Sequence, residues 1–68
     1  RDADVRLDVL DLAGRRVARL VDGMVPAGQR RFTWDGRDER GTEASPGLYM
    51  VRASTPDESV SLRIVRLR

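Results

Sequence analysis

Near the start of the chain, apolar and charged positions alternate: Val5, Leu7 and Val9 against Arg6 and Asp8. A spacing of two marks a strand with one buried face, and no helical spacing competes with it, so residues 5 to 11 are predicted as a first strand. Asp11-Leu12-Ala13-Gly14 follows, with an acceptor side chain where a turn begins and a glycine, which takes positive φ freely, where it ends. This predicts a tight hairpin into a second strand, Arg16 to Val21. Val17, Ala18, Leu20 and Val21 break strict alternation there, as a β-bulge near the hairpin requires.

Asp22-Gly23 and Pro26-Ala27-Gly28 read as a loop. Beyond it Arg30, Phe32 and Trp34 share one parity and Gln29, Arg31 and Thr33 the other, so a third strand is predicted over about 29 to 34, with Phe32 and Trp34 as its large core side chains. Residues 35 to 46 are polar, rich in turn formers and without apolar periodicity, and form the longest loop. Strand character resumes from Leu48 to Ser54, Pro56-Asp57-Glu58-Ser59 makes a turn, and Val60 to Leu67 is a last strand with Val60, Leu62 and Ile64 in register. Five strands and no helical stripe predict an all-β fold, a small sandwich rather than a barrel.

A chain of 68 residues holds one domain. At this size folding buries only about 60% of the chain's surface, so the core is thin and stability marginal. No cysteine or histidine is present to supply a disulfide or a structural zinc site. All 13 basic residues are arginine, against 11 acidic ones, for a net charge of +2. Almost nothing titrates between the carboxylates and Tyr49, so the sequence pI of 10.4 reflects missing titrants rather than a strongly basic surface. No apolar run approaches the roughly 20 residues of a membrane-spanning helix and no signal peptide opens the chain. Beginning at Arg1, it reads as a piece of a longer polypeptide.

The chemistry open to this composition is narrow. Histidine, cysteine and lysine are all absent, which removes the usual nucleophiles, bases and activating partners. Asp35 and Asp38 remain as a carboxylate pair of the kind glycosidases use, but a domain this small has no room for a normal substrate cleft. Asp35, Asp38 and Glu39 are candidate oxygen ligands for calcium. Arg37 and Arg40 place positive charge among them, and the preferred reading is a charge-balanced loop in which Asp35 caps backbone N–H groups while Gly36 and Gly41 take special backbone angles. Arg15, Arg16, Arg19, Arg30, Arg31 and Arg37 are a candidate basic patch beside Phe32 and Trp34, yet five interspersed aspartates dilute its field, so nucleic acid is not the expected partner.

Three motifs together carry a resemblance. They are the Asp11-Leu12-Ala13-Gly14-Arg15 hairpin, the loop Trp34-Asp35-Gly36-Arg37-Asp38-Glu39-Arg40-Gly41, and Gly47-Leu48-Tyr49 at a strand start. In this order and spacing the chain resembles the immunoglobulin-like domains shared by the flagellar hook-capping protein FlgD and the C-terminal sorting domains of the bacterial type IX secretion system. The resemblance implies an immunoglobulin-like β-sandwich and, for a sorting domain, recognition by secretion machinery through Gly47, Tyr49, Arg63 and Arg68. Arg63 and Arg68 stand where that family usually has lysines. Tyr49 and Gly47 also have a purely structural reading, as a core-facing aromatic and a turn into a strand. Family members carry one or two further strands upstream. Without them an unpaired sheet edge is expected, and with it self-association or lower stability than an extended chain has.

The leading expectation is therefore a non-catalytic sorting and anchoring module without a cofactor, on a secreted or cell-surface protein, whose partners are secretion machinery or its own passenger. The alternatives are an assembly domain like that of the hook-capping protein, and a calcium- or carbohydrate-binding accessory domain.

Overall fold

A computed structural model of the chain describes residues 3–26, 28 and 31–67. Among these residues are four strands and no helix: β1 (Ala3–Leu10), β2 (Arg16–Val25), β3 (Gly47–Ser54) and β4 (Ser59–Arg66). All neighbours are antiparallel, in the order β2-β1-β3-β4.

The β1–β2 hairpin turns where the sequence places it. Asp11 Oδ1 accepts the backbone N–H groups of Ala13 and Arg15, both at 2.9 Å, and Gly14 takes a φ of 86°. Two register shifts then interrupt the β1–β2 ladder, between Leu7 and Asp8 and between Val9 and Leu10. Each leaves an extra residue on β2, Leu20 and Val17. The shifts turn Val17, Ala18, Leu20 and Val21 to the face that carries Val9 and leave Arg16, Arg19 and Asp22 on the other. The broken alternation in the sequence is thus an ordinary two-faced strand with two bulges.

Pairing across the sheet assembles one apolar face. Val9 lies opposite Ala18 and Val51, Val51 opposite Leu62, Leu7 opposite Val21 and Ala53, and Tyr49 opposite Ile64. The buried centre is Val9, Ala18 and Tyr49, with Val17, Leu20, Trp34, Ala44, Val51 and Ile64 packed around it.

The described residues form one antiparallel layer of four strands, all-β as the sequence predicts. Two expectations are corrected. Residues 31–34 are not a strand, while Gln29 and Arg30 lie outside the described residues. Trp34 lies across the sheet instead of within a ladder, its Nε1 donating to the Arg37 carbonyl at 2.9 Å, and Phe32 is exposed rather than buried. Finally, β2 runs through Asp22-Gly23 to Val25, because Val5 and Ala3 continue β1 opposite them.

Candidate functional site

The loop from Trp34 to Ser45 folds back over one end of the apolar face, and its own side chains hold its shape. Asp35 Oδ1 accepts the Arg37 N–H at 3.0 Å, and Asp38 Oδ1 accepts those of Arg40 and Thr42, both at 2.9 Å. Arg37 Nη1 donates to the Gly41 carbonyl at 2.9 Å. Backbone bonds from Asp38 to Thr42 and from Ala44 to Gly36, both 2.8 Å, close it into a small hairpin. Gly36 and Gly41 adopt φ values of 82° and 86°, which only glycine takes without strain. The carboxylates of Asp35 and Asp38 are thus engaged by the loop's own amides, and no group of three potential metal ligands occurs among the described residues.

Arg66, from the last strand, pins this loop down. Its Nη2 meets Glu43 Oε2 at 3.1 Å, its Nε donates to the Gly36 carbonyl at 3.4 Å, and its guanidinium carbon lies 6.0 Å from the centre of the Trp34 ring. Trp34 in turn stands edge-on to Tyr49, ring centres 5.2 Å apart, and the Tyr49 hydroxyl donates back to the Ser45 carbonyl. On the β2 side, Glu39 donates its N–H to the Val17 carbonyl and pairs through Oε1 with Arg16 Nε at 2.7 Å.

The opposite face carries charge. Asp8 is only 4% exposed, and Arg19 beside it donates from Nε to Oδ1 at 2.8 Å and from Nη2 to Oδ2 at 3.3 Å. The hydrogen bond from Arg19 holds the Asp8 carboxyl below its ordinary range, against the opposing effect of burial, and Asp8 in turn raises Arg19. Arg19 and Arg6 also reach Asp22, at 3.6 and 3.7 Å.

The residues singled out in the sequence do not converge on one site. Asp11, Gly14 and Arg15 form the first hairpin, where Arg15 Nε lies 3.4 Å from Asp11 Oδ2. Trp34, Asp35, Gly36, Asp38 and Gly41 build the packed loop. Gly47 begins β3 opposite Arg66, while Tyr49 is buried with its hydroxyl bonded internally. Arg63 is exposed, pairs with Met50, and so lies on the face opposite Tyr49. Arg68 lies outside the described residues. Sequence reasoning missed Arg66, and it named Asp8 only as a charged position of the first strand and Arg19 only within a candidate basic patch, not as a pair. Asp8 had a signal, an acidic residue on a central strand across from an arginine-bearing one; Arg66 had none, since its partners are some 23 to 30 positions away.

Among the charged and polar surface, large apolar side chains also stay accessible, Met24, Leu48 and Val65 on the charged face among them. Away from the loop the Val9 face is uncovered: Val60 is 56% and Leu62 66% exposed. The chain's surface of 5399 Å² exceeds the roughly 4,300 Å² expected for a compact chain of this mass.

An antiparallel β-domain whose tyrosine, near a strand start, bonds back to the backbone a few residues upstream has a feature of immunoglobulin-like domains. The sequence model of the FlgD Ig-like domain family matches residues 1–59, and the chain belongs to that family. No curated protein and no solved structure is significantly similar to it.

Proposed function

We propose that this is a non-catalytic structural domain that joins protein subunits in a bacterial envelope assembly, its open apolar face receiving an adjoining polypeptide that completes an immunoglobulin-like sandwich. The observation that carries the reading is that face: an ordered loop covers one end, and Val60 and Leu62 stand in solvent at the other. Contiguous exposed apolar surface on a small soluble domain marks an interaction site. Membership in the FlgD Ig-like family supports a structural role, and the lack of histidine, cysteine and lysine in the chain supports a non-catalytic one. Placement on the secreted or cell-surface side of the envelope belongs to the same proposal.

The sorting reading draws less support from the geometry, because Tyr49 is buried and Arg63 points from the other face. The test is Val60→Asp in the protein as its cell makes it. Val60 is exposed, so folding is retained; the unaltered protein should co-sediment with the envelope fraction and the variant should be released from it. Unchanged co-sedimentation would overturn the proposal.

A further inference from the structure

The two edges of the sheet differ. β2 carries two bulges and the charged side chains of Arg16, Arg19 and Asp22, devices that keep an edge from pairing with another chain. β4 carries no bulge and no proline. Its register with β3 runs unbroken from Ser59 to Arg66, and Arg66 is turned onto Glu43 and Gly36. Arg63 is then the one outward charge along its length.

The ladder also states which backbone groups are on offer. The Thr55 N–H donates to the Glu58 carbonyl at 2.8 Å, which makes that pair a hydrogen-bonded one. Hydrogen-bonded and non-hydrogen-bonded pairs alternate along antiparallel strands. Val60, Leu62 and Ile64 therefore bond inward to β3, and Ser59, Ser61, Arg63 and Val65 direct their N–H and C=O groups outward.

We propose that β4 pairs antiparallel with β4 of a second copy of this chain, about a two-fold axis at Leu62. Outward residues must meet outward residues, which restricts the axis to a residue position rather than a point between two. An axis at Arg63 sets arginine against arginine, and one at Ser61 shortens the ladder. The axis at Leu62 sets Leu62 against Leu62, Val60 against Ile64 and Ser61 against Arg63, with no like charges opposed. It also places the two open apolar faces on the same side of a continuous eight-stranded sheet. The ladder is short, so the dimer is concentration-dependent. This inference concerns the edge and does not rest on the partner proposed for the face, although Val60 and Leu62 belong to both surfaces.

The test uses cysteine substitutions in a chain that has no other cysteine. Leu62 facing itself at a non-hydrogen-bonded position brings the two Cα atoms to about 4.5 Å, within disulfide reach. Under mild oxidation Leu62→Cys should become mainly disulfide-linked dimer. Val60→Cys should not, since its two copies lie about 13 Å apart. By sedimentation, Ser61→Asp, set against Arg63 twice per dimer, should tighten association about five- to tenfold, and Ser61→Arg should weaken it by a similar factor. Circular dichroism checks that each variant is folded. A chain monomeric at millimolar concentration, equal cross-linking at positions 60 and 62, or shifts of the same sign for both Ser61 variants would each overturn the proposal. None of these results bears on whether Val60→Asp releases the protein from its assembly.

Discussion

A methyl group placed on Gly36 would stand 2.6 Å from Nη2 of Arg66, a residue on the last strand whose Nε also donates to the Gly36 carbonyl. Gly36 is also at positive φ, so a side chain there meets both backbone strain and a packed cation. Gly36→Ala should cost about 3 kcal/mol, and Gly41→Ala, with a similar φ but open space around it, about 1 kcal/mol. Urea unfolding of the two variants in parallel measures the difference, and equal losses would show that Arg66 yields freely.

Asp8 should give the domain a distinct acid response. Its carboxyl is held below the ordinary range by Arg19, so the unfolded chain takes up the proton first as pH falls. The contribution is complete above about pH 5 and is lost as the pH drops through the ordinary aspartate range to the lower native value. Asp8→Asn should lower stability by about 2 kcal/mol at neutral pH and flatten the decline below about pH 5. Urea midpoints at a series of pH values report both effects.

Tyr49 separates packing from hydrogen bonding. Removing its hydroxyl in Tyr49→Phe leaves the edge-on contact with Trp34 and abolishes the bond to Ser45, a loss of about 1 kcal/mol. Tyr49→Ala should cost about 3 to 5 kcal/mol, enough to unfold much of so small a domain. Trp34, the chain's one tryptophan, reports the difference: its emission should stay native-like in Tyr49→Phe and shift to the red in Tyr49→Ala.

Calcium should not stabilise the chain. Asp35 and Asp38 each direct Oδ1 at backbone N–H groups of their own loop, and Arg37 bonds across it. The melting temperature should be the same in millimolar calcium and in chelator, and an increase with calcium would assign the loop a ligand role by mass action.

Much of the sheet was legible because alternation and turn chemistry are local. Val5 to Val9, the Asp11–Gly14 turn, Tyr49 to Val51 and Val60 to Ile64 sit where their spacing puts them. The residues around Trp34 misled for a physical reason: an aromatic every second position fits a strand ladder, and it equally fits a segment that lays one ring across a sheet. Asp22-Gly23 reads as a turn until the length of β1 is known, since Val5 and Arg6 opposite them keep β2 extended. The aspartates of the 35–41 loop were legible as turn acceptors, whereas Arg66 gained its place only when the last strand was laid beside the loop.

The strand order β2-β1-β3-β4 makes the sheet two hairpins joined along a single seam, from Arg6 opposite Ser54 to Leu10 opposite Met50. Each hairpin closes over a few residues, while the seam brings together positions more than thirty apart. Folding speed is set by that non-local step, since loop closure must precede any gain from β1 meeting β3. The Trp34 loop can seat only on a sheet already joined, because it rests on Val17 from one hairpin and on Tyr49 and Arg66 from the other. It is a latch across the seam, and a cut between its start and β2 would leave two hairpin fragments able to recombine without covalent connection.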